Sequence, residues 1–583
     1  MRHLPLLLSF AALSACATPL AERRATGPVA VKIIALNDFH GALEPPGNSV
    51  PVTNAGGTTV NVPAGGAAHL ATAVARLKAQ NSNSLVVAAG DLTSASPFVS
   101  SQFLDEPTIL AMNLIGLDLN AVGNHEFDRG PDELKRLQGG GCVQHTGRKP
   151  CRVDPTFPGA SFNYLAANVR TRDGGTLFPA TAIRTLGAGA RAVRVGFIGL
   201  TLRTTPSLVV PTNVASLTFQ DEADTINALV PSLRADGAAA IVVLIHQGLY
   251  TKVGYNDKSC GGVSGDLLPI LAKLDPAVDL VVSGHTHRAY VCDYATIDPT
   301  RPMLVTSAGR NGTMLTDIEL LVDPARRRVT GKRADNLIVQ GAAYTSASGP
   351  VPLRSEFPVY AAEPRVAALV NRYVAAATPV AARVVGRMSA PATRQRTPSG
   401  ESVLGNLIAD VQRQATGTDI AFMNSEGLRA DLNPTADGSV TYGQLYAVMP
   451  FGNTLQVKGM TGAQIRHVLE QQFDSASNTV EQPNMMMVSK GLTYRYDLRR
   501  PAGARIMDMR LNGAPVDEAR TYRVGVSNFL AAGGDNFTGF TNGTDLPGGA
   551  EDIDAFEAFV RAAGTLTPPT ADRITRVDVP SGG

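Results

Sequence analysis

Short apolar runs, each breaking off at a polar tip, recur through the first half of the chain. Residues 31–36 run into Asn37, Asp38, Phe39 and His40, and residues 85–89 into Gly90 and Asp91. Residues 117–122 lead to Gly123, Asn124, His125, Glu126, Phe127 and Asp128. Residues 239–245 stop at His246, and residues 278–282 precede Gly284, His285, Thr286 and His287. Short β-branched-rich runs predict buried strands, and residues 193–200 make another. Between them, residues 65–80 carry Leu70, Val74 and Leu77 at helical spacing, and residues 108–114 are also helical. Strands alternating with helices predict an α/β domain whose ligands gather at strand ends.

The register changes near residue 340. Residues 346–358 are rich in Ser, Pro and Gly and read as a linker. An amphipathic connector helix is expected over 363–377, with Pro364 near its start and Pro379 just beyond its end. Val366, Leu369, Val370 and Tyr373 share its apolar face. From about 380 a second domain mixes helices (402–415, 462–473) with strands (493–496, 522–526). The expected division is a leader over 1–28, a first domain over 29–340, a linker and connector over 341–379, and a second domain over 380–583.

Composition narrows the class. At 583 residues the chain is too long for one core. A net charge of +2 lacks the basic footprint of a long nucleic-acid binder. Met1, Arg2 and His3, then an apolar run over 4–13, then Leu13, Ser14, Ala15 and Cys16, read as a secretory leader. Leu-Ser-Ala-Cys resembles a bacterial lipobox, with Cys16 as the lipidated first residue. An ordinary signal cleaved nearby is the alternative. Ala17, in place of aspartate, favours the outer membrane. Four other cysteines remain, and an even number in an exported chain suggests two disulfides. Of the three connectivities, neighbour pairing as Cys142–Cys151 and Cys260–Cys292 is expected.

Asp38 and His40, two residues apart at a strand mouth, are expected to point the same way, because side chains alternate with period two. An Asp-x-His pair alone is more commonly a capped turn. Yet five of the nine histidines lie in the clusters above. Carboxylates, imidazoles and one amide oxygen form the ligand set of divalent Zn, Mn, Co or Fe. In order, Asp-x-His, Gly-Asp, Gly-Asn-His-Glu, a lone His and Gly-His-x-His resemble the calcineurin-like metallophosphoesterase superfamily. The Phe127-Asp128 that follows, and the type of second half, resemble the 5′-nucleotidase/UDP-sugar hydrolase family within it.

That resemblance spans nearly all of the mature chain. It implies an α/β fold: a metallophosphoesterase α/β sandwich, the connector helix, and a smaller α/β C-terminal domain for nucleotide recognition. It implies two divalent metal ions, one held by Asp38, His40, Asp91 and His287. Asp91, Asn124, His246 and His285 would hold the other, with Asp91 bridging. Many family members have glutamine where His287 stands. His125 is expected to contact the transferring phosphoryl group, with Asp128 orienting it; a turn-capping role is the plainer alternative for Asp128.

In the second half, Asn424 to Arg429 resembles the family's Asn-x-Gly-Gly-(Ile/Leu)-Arg loop, with Glu426 replacing the first glycine. The segments at Pro450-Phe451-Gly452-Asn453 and around Phe529 and Asp535 resemble the two that clasp the base. Phe451 and Phe529 would form the stacking slot, Asn424 and Asp535 would contact ribose or base, and Arg429 and Arg396 would bind anionic oxygens. The expected activity is removal of the 5′-phosphate from small nucleotides outside the cytoplasm, with cleavage of UDP-sugars as well. The alternatives are a 2′,3′-cyclic-nucleotide 2′-phosphodiesterase/3′-nucleotidase and a nucleotide-binding surface lipoprotein.

Overall fold

Two six-stranded sheets form the first half. One takes Val29–Leu36 (β1), Ser84–Ala88 (β2), Leu119–Ala121 (β3) and Asn163–Leu165 (β4) in parallel. Met314–Asp323 and Arg328–Ile338 extend it antiparallel beyond β1. The other takes Val193–Thr201 (β5), Ala240–His246 (β6), Leu280–Ser283 (β7) and Leu304–Ala308 (β8) in parallel. Thr181–Leu186 and Ala289–Asp293 close its edges antiparallel. The computed structural model describes residues 27–578, apart from 46, 48, 54–57, 347–348, 476–477 and 547–548. The expected leader and Cys16 lie outside the described residues.

These strands are almost wholly buried, as parallel strands covered on both faces must be. Ile33, Val87 and Leu119 of one sheet share a core with Phe197, Leu244 and Val282 of the other. Ile34 and Val86 face outward onto helix α1 (Ala67–Lys78), through its Leu70, Val74 and Leu77. Ile198, Ile241 and Val243 meet helix α2 (Glu222–Ala235) through Ile226, Val230 and Leu233. The result is a sandwich of two sheets with helices outside, the layering that lets each apolar face find a partner. Both neighbour disulfides form, Cys142–Cys151 and Cys260–Cys292.

Helix α3 (Pro364–Ala381) connects the halves, and it runs past its expected end. Pro379 lies inside its last turn, not beyond it. A proline there forfeits one bond to a carbonyl four residues back. The buried Val366, Leu369, Val370, Tyr373 and Ala377 hold the helix, and the Ala382 N–H still reaches the Thr378 carbonyl at 2.8 Å. Its start is capped by the Glu363 carboxylate, which accepts from the Val366 N–H at 2.8 Å.

The second half is built on a five-stranded mixed sheet. Its order is Met486–Val488, Ile420–Asn424, Thr521–Ser527, Leu455–Thr461, Thr544–Leu546. Helix α4 (Val403–Thr416), capped by the Ser402 hydroxyl, packs Leu404, Leu407, Ile408 and Val411 into the core. The helix expected over 462–473 ends at Glu470. The halves meet where the Phe98 ring contacts Tyr446 and Tyr442 edge-on, at 5.1 and 5.8 Å.

Candidate active site

The carboxyl ends of β1, β2, β3, β6 and β7 converge on one rim of the sandwich. Asp38 and His40 reach it by a route the strand pattern did not predict. β1 stops at Leu36, and both residues then adopt left-handed backbone, at φ 49° and 46°. Their N–H groups donate to the Gly90 and Asp91 carbonyls at 3.0 and 2.9 Å. The turn, and not the pleat, therefore aims them. Asp91, His285 and His287 are also left-handed, at φ 52°, 70° and 57°. Such conformations cost about 1–3 kcal/mol each in non-glycine residues and gather where function holds them.

Two glycines make room for this rim. A Cβ on Gly123 would lie 2.2 Å from Asp91 Oδ1, and one on Gly284 would lie 2.9 Å from Asp38 Oδ2. The glycines of Gly-Asn-His-Glu and Gly-His-x-His thus let carboxylates press against backbone. Glu126, given no role from the sequence, ties the rim together. Its carboxylate accepts from the N–H groups of Asp91, Leu92 and Gly123 at 2.9, 2.8 and 2.6 Å. Asn37 does the same for Asp38, donating to Oδ2 at 2.6 Å and to the Gly309 carbonyl at 2.7 Å.

The seven candidate ligands come together. His246 Nε2 lies 2.9 Å from Asp91 Oδ2 and 3.1 Å from Asn124 Oδ1. His285 Nδ1 lies 3.1 Å from the same Asn124 oxygen. His40 Nε2 faces His287 Nε2 at 3.1 Å, and His287 Nε2 lies 3.3 Å from Asp38 Oδ1. Asp38 groups with His40 and His287, and again with Asp91 and His246. Asp91 Oδ2 also reaches both sets, lying 3.7 Å from His40 Nε2. Asp91 Oδ2 therefore reaches an imidazole of each pair, and Asp38 lies within 4.8 Å of His246 as well.

The donor set fits divalent cations. His246 Nδ1 sits 2.7 Å from the Ala89 carbonyl and His40 Nδ1 sits 3.0 Å from the Ser94 carbonyl. Those bonds take the ring protons and turn bare Nε2 lone pairs toward other acceptors, an arrangement that calls for a cation between them. Burial opposes charge on His246, yet Asp91 beside it and Asp38 beyond hold its imidazole up to about 10, so these carboxylates draw positive charge to the spot, a proton or a cation in its place.

Beside this cluster, His125 Nδ1 lies 2.8 Å from Asp128 Oδ2, and its backbone N–H donates to Asp91 Oδ1 at 2.9 Å. Burial pushes the His125 imidazole down, but Asp128 and then Asp91 outweigh it and leave it raised. The Phe451 ring stacks on His125 at 5.9 Å and 18°.

A cleft of about 570 Å³ opens from here between the halves. It is lined by His125, Asp128, His285 and His287 on one side, and by Asn424, Arg429, Phe451, Phe529 and Asp535 on the other. The Arg429 guanidinium sits 5.8 Å over the Phe451 ring. Phe529 lies flat on Gly534, where a Cβ would come within 2.5 Å of the ring. Asn424 Nδ2 donates to Asp535 Oδ2 at 2.7 Å, and burial, against that bond, lifts the Asp535 carboxyl to about 6.

Arg396 is not placed with them: it pairs with Glu426 at 3.3 Å and does not line the cleft. Arg394, held by Asp431 at 3.1 Å, lines it in its stead, together with Arg310 and Asp552. Spacing to the helix at Val403–Thr416 could not distinguish two arginines on one loop. Nothing local marked Arg310 or Asp552.

Residues 31–289 match the calcineurin-like phosphoesterase family model, and residues 381–542 match that of the 5′-nucleotidase C-terminal domain. The chain is 25% identical to a snake venom 5′-nucleotidase of Gloydius brevicauda, over 98% of this chain and 92% of that one. It is 28% identical to endonuclease YhcR of Bacillus subtilis over 90% of this chain. It spans only 39% of the length of that relative. A solved 5′-nucleotidase precursor from Thermus thermophilus matches with a TM-score of 0.71 at 26% identity, covering 95% of this chain and 100% of that one. With both halves matched and the cation-ready rim between them, the chain belongs to the 5′-nucleotidase family of calcineurin-like metallophosphoesterases and is a metal-dependent phosphoric ester hydrolase.

Proposed function

We propose that the chain removes the 5′-phosphate from nucleoside monophosphates with two divalent cations, and that it also cleaves UDP-sugars. One observation carries this reading: the cation-ready rim and the aromatic pair Phe451 and Phe529 open onto one cleft from opposite halves. Its volume suits a mononucleotide-sized ligand. Asp38, His40, Asp91 and His287 would hold one cation, and Asp91, Asn124, His246 and His285 the other. When bound, such cations acidify water and neutralise phosphate oxygens. The chain's own residues do the rest. Arg429 holds phosphate oxygens. His125, its Nδ1 occupied by Asp128, presents Nε2 to the leaving ribose oxygen and supplies the proton that oxygen needs.

The deciding test measures phosphate release from AMP, 3′-AMP, the cyclic AMP isomers and a UDP-sugar side by side, with Mn, Co, Zn or Mg. AMP should be hydrolysed best. Preference for 2′,3′-cyclic AMP or 3′-AMP would replace this reading with the cyclic-phosphodiesterase one.

The base slot has its own test. Phe529→Ala should lower the ratio of AMP to ribose 5-phosphate turnover, measured as kcat/KM, by about 5–150-fold, since stacking contributes about 1–3 kcal/mol per base. Because rim and slot belong to different halves, turnover should also need the halves to approach across α3. A disulfide locking them apart should stop hydrolysis until it is reduced. Unchanged turnover with several such locks would end the idea.

Location follows the leader pattern. Export to the periplasm or cell surface, with a lipid anchor at Cys16, is proposed from the lipobox-like stretch and is consistent with two disulfides. Radiolabelled palmitate incorporation that survives Cys16→Ser would exclude that anchor.

A further inference from the structure

Behind the rim, one carboxylate is spent on a task that its own place in the chain does not call for. Asp105 stands directly before the helix Glu106–Ile115, where an aspartate ordinarily accepts from the free N–H groups of its own helix. It makes no such bond. Leu104 and Asp105 both take left-handed backbone, at φ 55° and 60°, a conformation costly for non-glycine residues. The carboxylate goes instead to the loop that follows β2. Its Oδ2 accepts from the Ser94 N–H at 3.0 Å, and its Oδ1 from the Ser100 hydroxyl at 2.7 Å. Arg129 Nη1 donates to Oδ2 at 2.6 Å.

Ser94 is the residue that aims His40. Its carbonyl lies 3.0 Å from His40 Nδ1, and its own backbone is left-handed, at φ 64°. Asp105 therefore holds one end of the residue whose other end sets the imidazole. Arg129 directly follows Asp128, the partner of His125. Through it, Asp105 joins the loop that orients His40 to the turn that carries the His125–Asp128 pair. Asp105 is fully buried, and burial pushes its carboxyl up, but Arg129 foremost outweighs that and leaves it lowered. A buried ion pair stabilises a fold little more than apolar side chains of the same size would, so this one calls for another role.

We propose that Asp105 and Arg129 are a positioning pair for His40: they fix Ser94, whose carbonyl takes the Nδ1 proton and leaves Nε2 bare toward the rim. The pair touches neither substrate nor cation and acts only through that carbonyl. This inference rests on the two-cation reading of the rim. Groups that hold a metal-binding imidazole by its other nitrogen set its tautomer and orientation, and their loss typically costs about 10–100-fold in metal affinity.

The test titrates the metal-stripped full chain with Mn in a calorimeter. Wild type should bind two equivalents, and the step that His40→Ala weakens most marks the site His40 serves. Asp105→Asn and Arg129→Met should each weaken that same step by about 10–100-fold and leave the other within about threefold. Because the two residues act as one unit, the double variant should bind no worse than the weaker single. Arg129→Lys keeps a cation beside Asp105 and disturbs the fold least, so it should lose less than Arg129→Met. Unchanged binding by Asp105→Asn would overturn the proposal, as would losses that add in the double variant or a reversed order of the two Arg129 variants. So would an equal weakening of both steps alongside a lower melting temperature, which is what a merely structural pair would give. A wild-type chain that binds a single equivalent would overturn the two-cation reading first, and this inference with it.

Discussion

An Asp91→Asn enzyme should release phosphate from AMP at least about 10³-fold more slowly than wild type, with an unchanged far-UV circular dichroism spectrum. The expectation follows from position. Asp91 Oδ2 lies 2.9 Å from His246 Nε2 and 3.7 Å from His40 Nε2, so one carboxylate serves both imidazole sets. On the two-cation reading, removing its charge would weaken the hold on both at once, and cations of this kind contribute several kcal/mol to stabilising phosphoryl transfer. Each 1.36 kcal/mol is a factor of ten in rate. The amide oxygen can still accept the His125 N–H that Asp91 Oδ1 accepts at 2.9 Å, so the rim keeps its shape. Bound metal, measured by elemental analysis after dialysis, should fall alongside activity. An Asp91→Asn protein as active as wild type would sink the two-cation reading.

His125→Ala should cost about 10²–10⁴ in kcat on AMP, the range of general acid–base contributions. Here the leaving group discriminates between roles. Ribose leaves as a poor alkoxide and needs a proton, whereas nitrophenolate does not. The variant should therefore lose far less on p-nitrophenyl phosphate than on AMP. Asp128→Asn should lower kcat in the same direction by less, because the imidazole stays in place but loses the carboxylate that holds it raised. Equal losses on both substrates would mean that His125 positions the phosphate and does not protonate the leaving oxygen.

Much of the rim was legible because chain order and strand pattern carry it. The apolar runs of β1, β2, β3, β6 and β7 end at the residues that converge, and parallel strands deliver their carboxyl ends to one side. The aiming of Asp38 and His40 was not legible. Period-two alternation assumes a strand, and these residues sit in left-handed turns whose N–H groups bond the distant Gly90–Asp91 loop. No local propensity encodes that partner. Pro379 shows the same limit: its chemistry says stop, but burial of Tyr373 and Ala377 carries α3 to Ala381. On the 394–396 loop, sequence could offer two arginines. Pairing of Arg396 with Glu426, and of Arg394 with Asp431, decides which one faces the cleft.

By itself the sequence determined the α/β class, the two halves and the strand-end clusters of imidazoles and carboxylates, and it favoured, among three connectivities, the cysteine pairing that forms. The class and the clusters depend on hydrophobic period and residue chemistry, which are local. Only the tertiary structure decided which imidazoles each carboxylate reaches and that Glu126 ties the loops of the rim. It alone left the Oδ1 oxygen of Asp552 buried without a hydrogen bond. Those outcomes depend on backbone N–H groups and packed helices brought together from distant parts of the chain, and a buried oxygen is an orphan only once everything around it has been placed.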